Sequence, residues 1–208
     1  MVRVDEEADR VASEVESRQL WAQVKRLLPS CDVVVFEDYD KGVITPSLIE
    51  STVALAKELG KPVIVDPKKR NFLAYQGVTL FKPNLKELRE GLKIEVEAGR
   101  QDQVVAAVTQ LKQRLQLDGV LATLSEFGVY IDFQFEQIKL PAHTREIADV
   151  SGAGDTVVAI AALCLALGLP SRRLAELSNL GGGLVCQYVG VVPINKEEFY
   201  REAMKEGF

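Results

Sequence analysis

Residues 147–168 read IADVSGAGDTVVAIAALCLALG. Gly152, Ala153 and Gly154 lead into a single carboxylate, Asp155, and then into a run apolar enough to predict a buried helix. A helix amino terminus carries unpaired N–H groups and a partial positive charge. With almost no side chains on the turn, its backbone can come close to a phosphate. The same N–H groups would stabilise charge on a phosphoryl group in transfer. Asp155 would stand beside that group, placed to take the proton of an attacking hydroxyl. This is the pattern of an anion hole next to a base. A plainer reading also fits the residues: Asp155 caps the helix and the glycines form a tight turn. The segment contains neither G-x-G-x-x-G after a strand nor G-x-x-x-x-G-K-[ST], which argues against dinucleotide and P-loop chemistry.

The rest of the chain predicts the frame that would hold such a turn. Residues 17–28 have amphipathic helix character. DVVVFED (32–38) is an unbroken apolar run closed by acids, as expected of a strand buried on both faces. TPSLIESTVALAKELG (45–60) opens with Thr45 as cap, carries Pro46 in its first turn and ends on Gly60, a helix with both ends marked. KPVIVD and GVTLFKPN predict two more buried strands, NLKELREGL a helix from Asn84, and Gln101 to Leu115 another helix. GVLATL predicts a fourth buried strand, GVYIDF and FEQIKL a hairpin, and the chain beyond Pro141 is mostly helical. Gly181 to Gly183 fall inside helix and predict close helix packing. Strands alternating with helices, apolar on both sides, give an α/β fold whose parallel sheet is covered on both faces. No repeat or linker divides residues 1–208, which read as a single domain.

Ligands of such sheets sit beyond the carboxyl ends of the strands. EDYDKG, DPKKR, KPNLKE and TLSEFG occupy those ends, and all are polar. Lys41, Lys68 and Lys69 could there meet an anionic substrate as point charges. Solvated surface lysines are the plain alternative.

A net charge of −5 without a cluster of Lys and Arg among aromatics argues against a nonspecific nucleic-acid binder. MVRVDEEADR lacks the apolar core of a secretory signal, and the longest apolar run, 157–167, is too short to cross a bilayer. Cys31, Cys164 and Cys186 are odd in number and far apart, which reads as reduced thiols rather than disulfides or a metal site. These features predict a cytoplasmic protein without membrane or nucleic-acid partners. The single histidine, His143, excludes chemistry that needs two imidazoles and reads as a surface residue.

DVSGAGDTVVA resembles the carboxyl-terminal signature of the ribokinase-like, pfkB-type carbohydrate kinases, commonly D-T-x-G-A-G-D-x-F, from which Val150 and Val157 depart. KPNLKE resembles the family's N-x-x-E element, which implies that Asn84 and Glu87 organise the Mg²⁺ of the nucleotide through water. ATLSEFG resembles its nucleotide loop, which implies that Thr123, Ser125 and Gly128 lie near the phosphates and ribose of ATP. In LSNLGGG, Asn179 matches the position near the adenine. DYDKG and VDPKKRNFLAYQG followed by PNLKE look most like the heptose-7-phosphate kinases of bacterial ADP-heptose synthesis, and RVDEE (3–7) resembles a strand end of those proteins.

The resemblance implies a three-layer α/β/α kinase that moves the γ-phosphoryl of ATP to the anomeric hydroxyl of a heptose 7-phosphate. Asp155 would be its base, the Gly152–Gly154 turn its anion hole, and Asp38, Lys41 and Lys68 its substrate contacts. An aspartate is a weak base toward an alcohol, so the proton would pass late. Asp149 would help to bind a potassium ion, or would only stabilise its turn. Lys82 stands where a neutral residue is common in relatives and receives no role.

Only the later part of the family's domain is covered. The first strands, a small β lid and many sugar contacts belong upstream, so either the chain is cut short or the protein is a naturally shortened homologue. An open sheet edge would be sticky, and a second copy or the missing segment is expected to cover it. Without a lid, water competes and the sugar is held poorly, so activity of this chain alone is open. The nucleotidyltransferase half of the bifunctional heptose enzymes needs a two-histidine motif that one histidine cannot supply. Two other functions stay open: a nucleotide-binding module without catalysis, and a kinase for ribose, fructose 6-phosphate or a nucleoside. An NAD-dependent oxidoreductase would need a glycine fingerprint after the first strand, which FEDYDKG lacks.

Overall fold

A computed structural model describes residues 10–143 and 147–208; the RVDEE segment lies outside them. Strands β1 (Val34–Glu37), β2 (Val63–Asp66), β3 (Leu80–Phe81), β4 (Gly119–Thr123), β5 (Val129–Phe133) and β6 (Glu136–Leu140) form one sheet in chain order. The first four are parallel, and β5 and β6 return antiparallel. The loop 124–128 turns the chain back between β4 and β5, and the expected hairpin reverses it again between β5 and β6, because a two-residue connection can only join antiparallel strands. Its two residues, Gln134 and Phe135, both have positive φ, 49° and 67°, the backbone sense of a tight hairpin turn.

Helices α2 (Pro46–Glu58), α3 (Leu85–Leu92) and α4 (Gln101–Leu115) cover one face, where Phe36, Val65, Phe81, Val120 and Tyr130 point. Helices α5 (Ala153–Ala166) and α6 (Ser171–Val185) cover the other, against Ile64, Leu80, Leu121 and Ile131. Alternate residues of β2 to β5 thus enter different cores, which is why these strands read largely apolar. Helix α1 (Glu14–Leu27) lies against α2, and α7 (Lys196–Lys205) against α6.

Local chemistry sets the helix ends. Thr45 Oγ1 accepts the N–H of Leu48 at 3.3 Å, Pro46 opens α2, and Gly60 at φ +64° comes just after it. Strand β3 is shorter than GVTLFKPN suggests, because Pro83 has no N–H to continue the ladder. Its carbonyl still accepts from Thr123 N at 3.0 Å, and Asn84 and Thr123 form an isolated bridge. The glycines of α6 serve packing, as expected. A Cβ on Gly181 would meet Ile160 Cδ1 at 2.0 Å, and one on Gly182 would meet Val157 Cγ2 at 2.7 Å.

Strand β1 pairs only with β2 among the described residues, and Val35 on it is 41% exposed. Among those residues no helix is long and apolar enough to cross a membrane.

Candidate active site

Gly152, at φ +78° and ψ −2°, is the residue before α5 and supplies no capping side chain. A positive φ here suits glycine and turns the chain sharply into the helix. Asp155 is exposed in the first turn and does not cap α5. It accepts the hydroxyl of Tyr39 at 3.4 Å instead, facing the loop after β1. The amino terminus of α5 therefore has no side chain capping it, and the one acid beside it bonds to the loop after β1.

Beneath the turn lie groups to which the sequence pattern assigned nothing. Glu37 and Asp66 end β1 and β2 and stand opposite each other in register. One oxygen from each of Glu37, Asp66 and Asp155 lies within 4.8 Å of the others. Lys82, buried just past β3, brings its Nζ to 3.1 Å from Asp66 Oδ1, and Lys68 Nζ lies 3.6 Å from the same oxygen. That oxygen has these two ion-pair partners and no directed hydrogen bond. A Cβ on Gly154 would be 3.6 Å from Lys82 Nζ and 3.8 Å from Asp66 Oδ2, so the ammonium sits directly under the turn. Carboxylates this close could gather round a metal ion. Here the buried ammonium of Lys82 is the resident cation, and we read the cluster as an ion-paired floor.

The floor perturbs its members. Burial raises Glu37 to about 7, helped by the charges of Asp66 and Asp155 and partly offset by Lys82. Burial works against the charge of Lys68, but Asp66 and Glu87 outweigh it and its pKa is raised. The hydroxyl of Tyr39 is also raised, chiefly by the charge of Asp155.

Thr123, Ser125, Gly128 and Asn179 line one cavity of about 350 Å³ together with Ala153 and Gly154. All four residues expected near the nucleotide thus share a space with the turn. Asn179 donates to Pro141 O at 2.9 Å. His143 is half-buried at the same cavity, its Nδ1 3.2 Å from Glu206, rather than an ordinary surface residue. Gly128 has φ 82° and ψ −133°, and a Cβ on it would lie 2.0 Å from the backbone oxygen of Leu140. Essentially only glycine adopts that conformation. Gly128→Ala should therefore cost about 1–3 kcal/mol of stability and deform the loop that carries Thr123 and Ser125, as urea unfolding and nucleotide titration would record.

Asn84 and Glu87 close a capping box at the start of α3. Glu87 N donates to Asn84 Oδ1 and Asn84 N to Glu87 Oε2, both at 2.8 Å. The other oxygen of Glu87 takes Lys68 at 3.2 Å, so Lys68 bridges this box to the floor.

Asp149 accepts Ser151 N and Oγ on one oxygen and Gly190 N on the other, tying two loops together, and these bonds lower it to about 2. Asp38 is buried, accepting Tyr75 Oη at 2.7 Å, Asn71 Nδ2 at 3.1 Å and Asp40 N at 2.8 Å. Lys41 is exposed on the same loop, and Lys69 reaches away to Glu90 at 3.8 Å. The three cysteines are free, and of them only Cys164 is buried.

The pattern of the pfkB family carbohydrate kinases matches residues 6–197. The chain is 38% identical over 207 residues to the bifunctional protein HldE of Syntrophotalea carbinolica, covering 98% of this chain and 41% of that one. It is 42% identical over 200 residues to HldE of Caulobacter vibrioides, covering 95% and 40%. The chain thus spans about two fifths of the length of the curated relatives it matches. Among solved structures, Escherichia coli phosphofructokinase-2 in complex with potassium superposes with a TM-score of 0.82 at 19% identity, over 95% of this chain and 64% of that one. Arabidopsis thaliana ribokinase complexed with ribose and ATP gives 0.74 at 19%, over 94% and 60%. At such identities the likeness is one of fold.

Proposed function

The chain belongs to the pfkB family of carbohydrate kinases, and on that premise we propose that it moves the γ-phosphoryl group of ATP to the anomeric hydroxyl of a heptose 7-phosphate. The observation that carries the reading is the uncapped start of α5, with Asp155 beside it and a cavity lined by Thr123, Ser125, Gly128 and Asn179 opening onto it.

In this reading ATP lies in the cavity with its terminal phosphate over Gly152, Ala153 and Gly154. Their N–H groups take up the charge that develops on the transferring group, and Lys82 beneath adds a fixed positive charge in a buried setting. The acceptor oxygen forms its bond to phosphorus as the bond to the bridging oxygen of ADP breaks. The acceptor's proton passes to Asp155, and Tyr39 holds that carboxylate toward the acceptor. Bound magnesium would neutralise phosphate charge. Asn84 and Glu87 suit contact with it through water, since both oxygens of Glu87 are already engaged with Asn84 N and Lys68. Potassium has the support that E. coli phosphofructokinase-2 was solved with it. Asp149 would be the side chain to hold it, although its oxygens now accept three donors.

The heptose assignment is supported by the DYDKG and VDPKK segments and by the identity with the HldE proteins. Lys68, already between Asp66 and Glu87, and Lys41 on the β1 loop would meet the sugar phosphate. Asp38 would shape that loop from inside. Use of ATP suits a cytoplasmic setting, and the free side of β1 would pair with a second copy or with further chain.

An ATP-consumption panel over heptose 7-phosphate, ribose, fructose 6-phosphate and a nucleoside tests the reading, run on this chain and on one lengthened to match its relatives. Heptose 7-phosphate should drive the fastest turnover. Nucleotide binding with no turnover on any sugar in either chain would instead identify a binding module.

A further inference from the structure

We infer that Glu37, set against Asp66 beneath the Gly152–Gly154 turn, holds a proton there, and that this proton sets how tightly the site holds the terminal phosphate of a nucleotide. The second half rests on the reading that this turn receives that phosphate.

The two carboxylates end neighbouring parallel strands opposite each other, so the sheet itself presses them together. Every element around Glu37 contributes a charge or a titratable group. Asp66 and Lys68 come from β2 and the loop after it, Lys82 from just past β3, Asp155 from α5, and Tyr39 from the β1 loop. The three carboxylates Glu37, Asp66 and Asp155 face the two ammonium groups of Lys68 and Lys82. Lys68 is shared with Glu87 at 3.2 Å, so the carboxylates already outnumber the ammonium groups with Glu37 protonated. Loss of that proton puts one more negative charge under the place where a polyanion must settle.

Carboxylates with oxygens within 4.8 Å of one another cannot all ionise cheaply, and it is the charge of Glu37 that is disfavoured. The elevation of Glu37 to about 7, caused first by burial and then by Asp66 and Asp155, agrees with this geometry. A bound phosphate disfavours ionisation of Glu37, so binding is strongest below about pH 7 and weakens as rising pH removes the proton. Glu37→Gln fixes the neutral form, and its amide can still donate to Asp66.

The test titrates adenylyl imidodiphosphate, a non-hydrolysable ATP analogue, with magnesium into the parent and Glu37→Gln chains by calorimetry. Taking the ratio of the two dissociation constants cancels the ionisation of the nucleotide itself. The ratio should be close to one at about pH 6, and the parent should bind about tenfold more weakly at about pH 8.5. A ratio that does not change with pH overturns the inference.

Carboxyl ¹³C NMR of the parent chain gives a readout that needs neither the variant nor a ligand. One glutamate should titrate near neutrality. If all titrate in the ordinary carboxylate range while the analogue binds, the inference fails and the phosphate reading stands. If one titrates near neutrality but the analogue does not bind, the phosphate reading fails, and with it the second half of the inference.

Discussion

Replacing Asp155 by asparagine should leave the chain binding nucleotide at least as tightly as the parent, because a negative charge leaves the floor, while turnover falls about 10²–10⁴-fold, the ordinary worth of a positioned base. The structure makes this separation clean. Asp155 does not cap α5 and is exposed, so the helix does not depend on its charge for its start. Losing one acid from a first turn costs about 0.3–1 kcal/mol. The hydroxyl of Tyr39 can donate to the amide oxygen of asparagine as it does to the carboxylate. The groups under the phosphate, Lys82 and the turn itself, are untouched. What asparagine cannot do is accept the acceptor's proton. Coupled detection of ADP release, beside calorimetry with nucleotide, would separate the two quantities. A chain that keeps more than half its turnover after this change has another base.

Lys82→Met should cost about 3–5 kcal/mol of stability, because removing one member of a buried ion pair strands the other. Lys82 and Asp66 are both buried at 3.1 Å, and Glu37 lies beside them. Methionine fills most of the volume and supplies no charge, leaving carboxylates crowded without their cation. The loss should shrink as pH falls and Glu37 takes up a proton. Asp66→Asn in the same chain should restore part of it, since the stranded charge is then gone. Urea unfolding of the single and double variants at neutral and mildly acidic pH measures both effects. A loss below about 1 kcal/mol, the range of an exposed pair, would mean that the ammonium is solvated and not part of the floor. The same variant should bind nucleotide more weakly, because the fixed positive charge nearest the turn is gone.

Helix α2 is legible at both ends because its signals are local: Thr45 bonds three residues on, and Pro46 and Gly60 act on their own backbone. The double-faced core is legible for the same reason, in runs such as VIVD and GVLAT. The TLSEFG loop and the glycine turn can be picked out from short motifs, and folding brings them to one cavity. The floor cannot be read this way. Glu37, Asp66 and Lys82 each look like a charge closing an apolar run, and only the pairing of β1 with β2 and β2 with β3 sets them side by side. A lysine that ends LFK gives no hint that it will be buried under a turn some seventy residues further on. Acids ending two neighbouring strands are the available signal, and it needs the strand order to be useful. Asp38 shows the converse. It looks like a strand-end ligand, yet its side chain turns inward to Tyr75 and Asn71.

The most direct measurement is a crystal structure of this chain with magnesium and adenylyl imidodiphosphate. The account predicts the terminal phosphate over the start of α5, with backbone N–H groups of residues 152–154 about 2.7–3.1 Å from its oxygens and the Asp155 carboxylate open to the acceptor side. A nucleotide bound with its terminal phosphate away from this turn would contradict it.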